Sequence, residues 1–275
     1  MRQTLKMPAA QGVAAGQTAT FKLPIKSRYH MLYLVYSGVT LAQMTEIRVI
    51  ANSKPFQRFT AEDLDKMNQQ KGLAAASGIL VLMLDRFNLK TRAMEEDTAV
   101  NTGSVDPNTG KVITEFNIEI DIAGAASGPA LSLFADISQQ LPGGPGTLLY
   151  INKFTRAASG AGELDVADMP YGGITTQLLN AVYIKKASGA GDITGVKIDR
   201  DLYNIFDRSV ALNTLIRGLN KRVVVADWFT YDRTERGYGL DPVDLKGVRD
   251  FRYKVTTDDA ASLVFYQETI GALGD

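Results

Sequence analysis

The 275-residue chain has no cysteine, which removes disulfides, thiolate metal sites and cysteine nucleophiles at once. It has one histidine, His30, and one tryptophan, Trp228. Neither sign of charge is in excess, with 30 Lys+Arg against 30 Asp+Glu; residues 1–141 hold 14 basic and 13 acidic side chains, leaving 16 and 17 for the rest. No basic face is hidden by averaging, so direct nucleic-acid binding is not expected. The longest apolar run, Ile79-Leu80-Val81-Leu82-Met83-Leu84, is far short of the ~20 residues of a membrane span. The start, Met1-Arg2-Gln3-Thr4-Leu5-Lys6, lacks the apolar core of a secretory signal, and the expectation is a protein made in the cytoplasm.

What is present is a soluble globular composition, 45% hydrophobic and 22% charged, and a long internal repeat. Residues 33–72 read strand, turn, strand, short helix, carried by Tyr33-Leu34-Val35-Tyr36, Ile47-Arg48-Val49-Ile50, Phe56 and Phe59, and the helical start Thr60-Ala61-Glu62-Asp63-Leu64. Residues 181–218 answer with Ala181-Val182-Tyr183-Ile184, Val196-Lys197-Ile198-Asp199, Ile205-Phe206 and Ser209-Val210-Ala211-Leu212. Ile47 to Val196 is an offset of 149, and Leu64 to Leu212 one of 148. A period that long is a domain, since solenoid units run ~20 to 50 residues.

The pattern sets out an N-terminal arm at 1–17, a first domain at 18–141, a linker at 142–146 and a second domain at 147–275. The arm is polar, without periodicity, and is expected to fray or lie on a neighbour. Arg2 and Lys6 on it are expected to face a membrane, where two charges add only about 1 kcal/mol each. Alternating strands follow at 18–23, 29–36, 45–50 and 113–122, with a nearly continuous apolar strand at 79–85 expected to be buried on both sides. Thr60 is a helix cap and Gly72 a stop. Residues 87–111 read as a long polar connection. Leu141-Pro142-Gly143-Gly144-Pro145-Gly146 is the boundary signal. The second domain is expected to place strands near 147–155, 162–167, 176–186, 193–199, 222–231, 248–257 and 262–270, and a helix near 209–218. Many strands with one short helix per half predict an all-β protein of two tandem eight-stranded sandwiches, with the jelly roll the commonest such form. Leu64 and Leu212 are expected to be equivalent buried anchors, each costing about 2 kcal/mol or more when cut to alanine, with Asp65 and Asn213 costing about 0.5 or less.

Residues that could carry chemistry are few. One histidine cannot build a cupin-like metal site. A Ser-His-Asp triad through His30 is formally possible, but no Gly-x-Ser-x-Gly elbow supports it, and a strand-face residue is the simpler reading. The Gly-rich stretches at 143–146 and 189–195 lack a following Gly-Lys-Ser/Thr and read as linker and hairpin. Asp106-Pro107-Asn108-Thr109-Gly110 resembles a calcium loop but lacks the closing acid, so a hairpin turn is the better reading. Glu95-Glu96-Asp97 and Asp258-Asp259 read as solvated loop charges that could at most offer oxygens to a cation at a subunit contact. Glu163 and Asp168 form no more of a glycosidase pair than any two carboxylates. Trp228 reads as core rather than a sugar platform. No catalytic, cofactor-binding or metal residue is assigned, and no enzyme is expected.

One set of segments is Val13-Ala14-Ala15-Gly16, Lys22-Leu23-Pro24-Ile25, Tyr36-Ser37-Gly38-Val39-Thr40 and Ile47-Arg48-Val49. A weaker set follows in Ile120-Asp121-Ile122, Gly128-Pro129-Ala130-Leu131-Ser132, Ala167-Asp168-Met169-Pro170 and Ile184-Lys185-Lys186-Ala187. In these segments and their order the chain resembles the double jelly-roll major capsid proteins of tail-less, membrane-containing icosahedral viruses, and the corticovirus capsid protein most. The resemblance implies a homotrimer forming a pseudo-hexagonal capsomer. Neighbouring capsomers would tile a virion shell over an internal membrane, meeting a separate vertex (penton) protein and small viral membrane proteins beneath. It also implies calcium in the shell, with no ligand that can be transferred to a residue here. The rival expectation from the residues is a carbohydrate-binding or glycan-processing protein on tandem β-sandwiches.

Overall fold

The structure is a computed structural model that describes residues 2–168, 177–239 and 241–274. It divides into two compact units, Met1–Ile151 with Ala272–Gly274, and Asn152–Gly271.

The first unit contains β1 (Gln3–Lys6), β2 (Thr18–Lys22), β3 (Ser27–Ser37), β4 (Met44–Ala51), β5 (Lys54–Phe59), α1 (Ala61–Gln70), β6 (Ile79–Met83), α2 (Arg92–Glu95), β7 (Val100–Asn101), β8 (Phe116–Ile122) and β9 (Ala130–Gln139). One sheet runs β1-β9-β3-β6 with β7 also on β3, and the second runs β5-β4-β8-β2. The chain passes into the second unit along β10 (Thr147–Ala158). There it forms β11 (Gly162–Val166), β12 (Leu178–Gly189), β13 (Ile193–Arg200), β14 (Tyr203–Ser209), α3 (Val210–Leu219), β15 (Trp228–Asp232), β16 (Val243–Asp244), β17 (Phe251–Thr257) and β18 (Ala261–Ala272). Its sheets repeat the plan, as β18-β12-β15 with β16 on β12, and β14-β13-β17-β11. Each unit buries the inner faces of its two sheets. Phe21, Leu32, Ile47, Leu80, Ile118 and Leu133 do so in the first. Val182, Ile198, Phe229, Tyr253, Leu263 and Phe265 do so in the second.

The repeat is held residue by residue. The β4-β5 pair Ile47↔Phe59 has its counterpart in Val196↔Arg208, and Val49↔Gln57 in Ile198↔Phe206, all at an offset of 149. Both hairpins carry a bulge one residue later, between Val49 and Ile50 and between Ile198 and Asp199. Both close on a two-residue turn with φ positive at both positions, Asn52-Ser53 and Asp201-Leu202, the geometry that matches strand twist. The helices then start at the same offset, with Thr60 Oγ1 accepting from Asp63 N and Ser209 Oγ from Leu212 N. They also stop alike. Gly72 (φ 103) and Lys221 (φ 59) take the left-handed position after the cap, and Leu73 N and Arg222 N return to the carbonyls of Asn68 and Arg217. β6 and β15 stand at the same offset, 79 to 228.

This frame corrects the expected pairing of leucines. The counterpart of Leu64 is Asn213, not Leu212. Leu64 is 3% exposed and Asn213 4%, whereas Leu212 is 44% exposed and points outward. Asp65 is buried as well and accepts from Ala76 N at 2.7 Å and Gln69 Nε2 at 2.7 Å. The duplication therefore stands on backbone register, and the leucine test of it fails for Leu212.

Four further expectations change. The N-terminal segment does not fray: β1 pairs with β9 from Gln3↔Ile137 to Lys6↔Phe134, Met7 is buried, and Gln11 bridges Thr20. Residues 87–111 are not one loop, because α2, a 3₁₀ turn at Glu96–Thr98 and β7 lie within them and Val100, Asn101 and Thr102 are buried; the first unit thus has a second short helix. β6 is buried on both sides only towards its end: along the face of Ile79, Val81 and Met83 the first is exposed, the second half-buried and the third buried. Of residues 222–231 only the part from Trp228 is strand, since Arg222 finishes the helix stop and Asp227 sits at φ 65. The strands β5 and β14, which the sequence pattern does not set apart, are each the second arm of a hairpin.

Candidate assembly surface

Helix α3 is turned inside out. Its only buried residues are Asn213 and Arg217, four apart and so on one face. Asn213 Nδ2 donates to Thr230 O at 3.1 Å, its Oδ1 accepts from Arg208 Nη1 at 3.2 Å, and Arg217 Nη2 donates to Val223 O. The apolar side chains face outward: Leu212 at 44%, Leu215 at 61% and Leu219 at 75% exposure, with Val210 beside them. Val223 and Val224 in the segment after the helix are exposed too. Six of the thirteen exposed large apolar side chains among the described residues fall in 210–224, which makes a patch rather than scatter. At the corresponding positions of α1, Ala61, Asp63 and Gln70 are buried and Lys66 is half-buried. A cleft of about 230 Å³ between Val210, Val224 and Trp228 adjoins the patch.

A second outward feature is the turn of the β13-β14 hairpin. Leu202 is 90% exposed and Tyr203 77%. The turn is pinned, because Asp201 Oδ1 accepts from Arg249 N (2.8 Å) and Asp250 N (3.1 Å). These two bonds hold the Asp201 carboxyl below its ordinary value.

His30 is fully buried and does meet a serine and an aspartate. Its Nε2 is 2.7 Å from Ser138 Oγ, and its Nδ1 is 3.0 Å from Asp85 Oδ2. This is triad spacing without triad chemistry. Arg2 Nη2 reaches Nδ1 at 2.7 Å and also pairs with Asp85. A ring that accepts from Arg2 at Nδ1 carries its proton on Nε2 and cannot take one from Ser138. β9 pairs with β3 from Ala130 to Gln139 and with β1 from Phe134 to Ile137. Arg2 continues to Glu96 at 3.1 Å and Asp136 at 3.5 Å, and Arg28 and Arg92 also reach Glu96. Burial raises the Glu96 carboxyl, but the Arg92 bond and the nearby Arg2 charge outweigh it and leave the group below its ordinary value. Sequence spacing could not find this cluster, because residues 2, 30, 85, 96 and 136 meet only through sheet pairing.

The other sequence candidates have ordinary places. Glu95 accepts from Leu89 N, and Asp97 pairs with Arg86. Asp106 accepts from Asn108 N and Thr109 Oγ1, a self-contained turn. Asp258 accepts from Asp192 N, and Asp259 from Ala260 N. Glu163 lies near Lys197 and Lys254, whereas Asp168 is held by Arg156. Among the described residues no group of three or more acidic or histidine side chains could hold a metal ion. The 143–146 segment is tied to the first unit by Asn101, which bonds Gly144 O and Leu141 N, and by Ser104. In the 189–195 stretch, Gly191 passes so close to Asp259 that a Cβ would lie 2.0 Å from its carbonyl oxygen, a contact only glycine permits. Trp228 is half-buried at the start of β15, stacked at 6.2 Å on Tyr266 with Lys185 Nζ 5.9 Å from its ring. Met169 and Pro170 lie outside the described residues.

Known proteins show the same plan. The chain matches the family of the viral coat protein P2 N-terminal domain over residues 4–138 and that of the P2 C-terminal domain over 148–273. It is 26% identical over 274 residues to the major capsid protein P2 of Pseudoalteromonas phage PM2, covering 96% of each chain. The crystal structure of that protein from bacteriophage PM2 superposes with a TM-score of 0.87 at 24% identity, covering 98% of this chain and 97% of that one. A structure from Sulfolobus Turreted Icosahedral Virus is similar in fold, with a TM-score of 0.68 at 11% identity over 98% and 90% of the two chains. With both halves matched in order, the chain belongs to the viral coat protein P2 family, the double jelly-roll major capsid proteins of the PM2-like kind, and is a structural, non-enzymatic component of the virion capsid.

Proposed function

We propose that this capsid protein self-associates as a homotrimer, and that the outward apolar face of α3 is seated on another copy of the chain. The observation that carries the reading is the inverted helix. A stripe with leucines 61% and 75% exposed costs solvation free energy until something covers it. The counterpart positions on α1 carry Ala61, Asp63, Lys66 and Gln70 and leave no large apolar side chain exposed, so of the two helices it is α3 that needs an external partner. Two similar units per chain, taken three times, offer six similar sides for hexagonal packing into a shell. The same reading places a lipid bilayer beneath the shell, neighbouring capsomers beside each trimer, a separate vertex protein at the fivefold positions and small membrane proteins underneath. It keeps 18–141 and 147–275 as the two jelly rolls, joined at 142–146.

The test is the mass of the purified chain by light scattering, for the natural sequence and for Leu215→Asp combined with Leu219→Asp. A threefold mass for the first and a single-chain mass for the second, with unchanged unfolding of the single chain, is the expected result. A natural chain that stays monomeric at micromolar concentration, or a double variant that still trimerises, would sink the proposal. Lipid phosphorus in purified particles checks the bilayer separately.

A further inference from the structure

The buried cluster around His30 has no part in the capsid role described above. Three features of β1 make it unusual. All four of its residues are exposed, so its docking on β9 buries almost no apolar surface. It is held instead by backbone pairing and by the side chain of Arg2 just before it, inserted among Asp85, Glu96, Asp136 and His30. And the segment has a natural limit at Met7, which is buried and whose N–H returns to Leu133 O at 2.8 Å.

His30 Nδ1 has one in-plane position. In the docked arrangement Arg2 Nη2, a group that can only donate, lies 2.7 Å from it. A protonated ring has no lone pair there; its Nδ1–H is aimed instead at Asp85, whose Oδ2 is 3.0 Å away. Arg2 would then confront a second cation at hydrogen-bond distance and lose its most buried counter-ion, since Asp85 is 1% exposed. Docked Arg2 and a proton on His30 are thus alternative cationic partners of one carboxylate. The charged and titratable groups facing the ring from the elements around it are Arg2 before β1, Asp85 after β6, and Asp136 with the Ser138 hydroxyl on β9. Glu96 of the 3₁₀ turn acts through Arg2, and Arg28 on β3 and Arg92 on α2 reach that glutamate. Tyr33, also on β3, lies within electrostatic reach of Asp136, Arg2 and Asp85.

The second unit supplies the contrast. A bulge falls at the same place in both units, between Tyr29 and Met31 and between Leu179 and Ala181, which makes Asn180 the counterpart of His30. Asn180 Nδ2 donates to Glu268, the counterpart of Asp136. An amide does not titrate, so the proton-sensitive version exists only where the N-terminal strand docks.

We propose that β1 is a proton-released strap: uptake of a proton by His30 displaces Arg2, and residues 2–6 leave the edge of β9. The sign follows from the exclusion. Docked Arg2 and a protonated ring compete for the same place, so the strap is held at higher pH and let go as pH falls. Linkage requires the converse, that removing Arg2 strengthens proton binding at His30.

Because the chain has one histidine, its imidazole Cε1–H gives a single NMR signal, which can be followed against pH in the full-length protein. Arg2→Gln is expected to move the midpoint upward by about one pH unit, a tenfold gain in proton affinity. In the natural chain, hydrogen-exchange protection of the Gln3 to Lys6 amides, corrected for intrinsic rates, is expected to fall at least about tenfold from pH 8 to pH 5, matching that coupling. His30→Gln, which keeps a hydrogen-bonding side chain, should remove that pH dependence while leaving β4 and β8 amides protected. An unmoved midpoint in Arg2→Gln, equal protection of residues 3–6 at both pH values, or a pH dependence that survives His30→Gln would each overturn the proposal.

Discussion

Cutting Asn213 to alanine is expected to destabilise the second unit more than cutting its leucine neighbour, the reverse of what hydrophobicity predicts. Asn213 is buried and makes two bonds, to Thr230 O at 3.1 Å and from Arg208 Nη1 at 3.2 Å. A neutral buried hydrogen bond is worth about 0.5–1.5 kcal/mol and one to a charged group about 1.5–3. Arg208 keeps its pairing with Glu235, so the lower part of the charged range applies, and the sum is about 2–3 kcal/mol. Leu212 is already 44% exposed and leaves no cavity when shortened, so its loss is expected to cost about 0.5 kcal/mol or less. Leu64, at the position Asn213 occupies in the repeat, should lose about 2–5 kcal/mol as alanine. The assay is equilibrium urea unfolding of dissociated chains, because any role of Leu212 in assembly would otherwise be counted as stability. A Leu212→Ala loss above ~1.5 kcal/mol together with an Asn213→Ala loss below ~0.5 would refute the 149-residue frame.

Two other outcomes are expected. Arg48 bonds Glu46, Glu119 and Asp121 across β4 and β8, and its bond is the largest cause of the lowered Asp121 carboxyl. A depressed carboxylate contributes stability above its unfolded pKa of ~3.9, lost as pH falls through the folded value. Arg48→Gln should therefore flatten the acid-side fall in stability between about pH 4 and pH 2, and an unchanged slope in acid unfolding would count against the assignment. Lys221 occupies in left-handed conformation the place that Gly72 fills in the first unit, so Lys221→Gly is expected to gain about 0.5 kcal/mol after the entropic cost of glycine; a lower melting temperature would contradict it.

The strand content and the duplication were legible because they are written in local pattern. Thr18 to Phe21 alternates, Thr60 caps its helix, and Gly72 stops it, each through the geometry of a few adjacent residues. The off-by-one pairing of Leu64 with Leu212 shows where that reading ends. Matching apolar to apolar assumed that both helices face inward alike, whereas α3 keeps its cap at 149 and rotates its composition instead. β5 was obscured by its polar, proline-containing sequence Lys54-Pro55-Phe56-Gln57-Arg58-Phe59, which becomes a strand only because β4 and a tight turn hold it. The Arg2 cluster left no trace in sequence, since buried ion pairs between distant segments have no period. The polar N-terminus reads as an arm because an edge strand held by backbone bonds needs no apolar residues.

The shared bulge at His30 and Asn180 has a consequence for inheritance. Two copies made from separate genes would have to meet in equal numbers, and each would need a surface able to tell the other from itself. Joined in one reading frame, they are always supplied one to one, at an effective concentration set by the connection rather than by expression. Selection on recognition between the halves is thereby relaxed, and a substitution in one is not copied to the other. One bulge could then keep an amide while the other acquired an imidazole, and one helix could turn its leucines outward while its twin stayed covered.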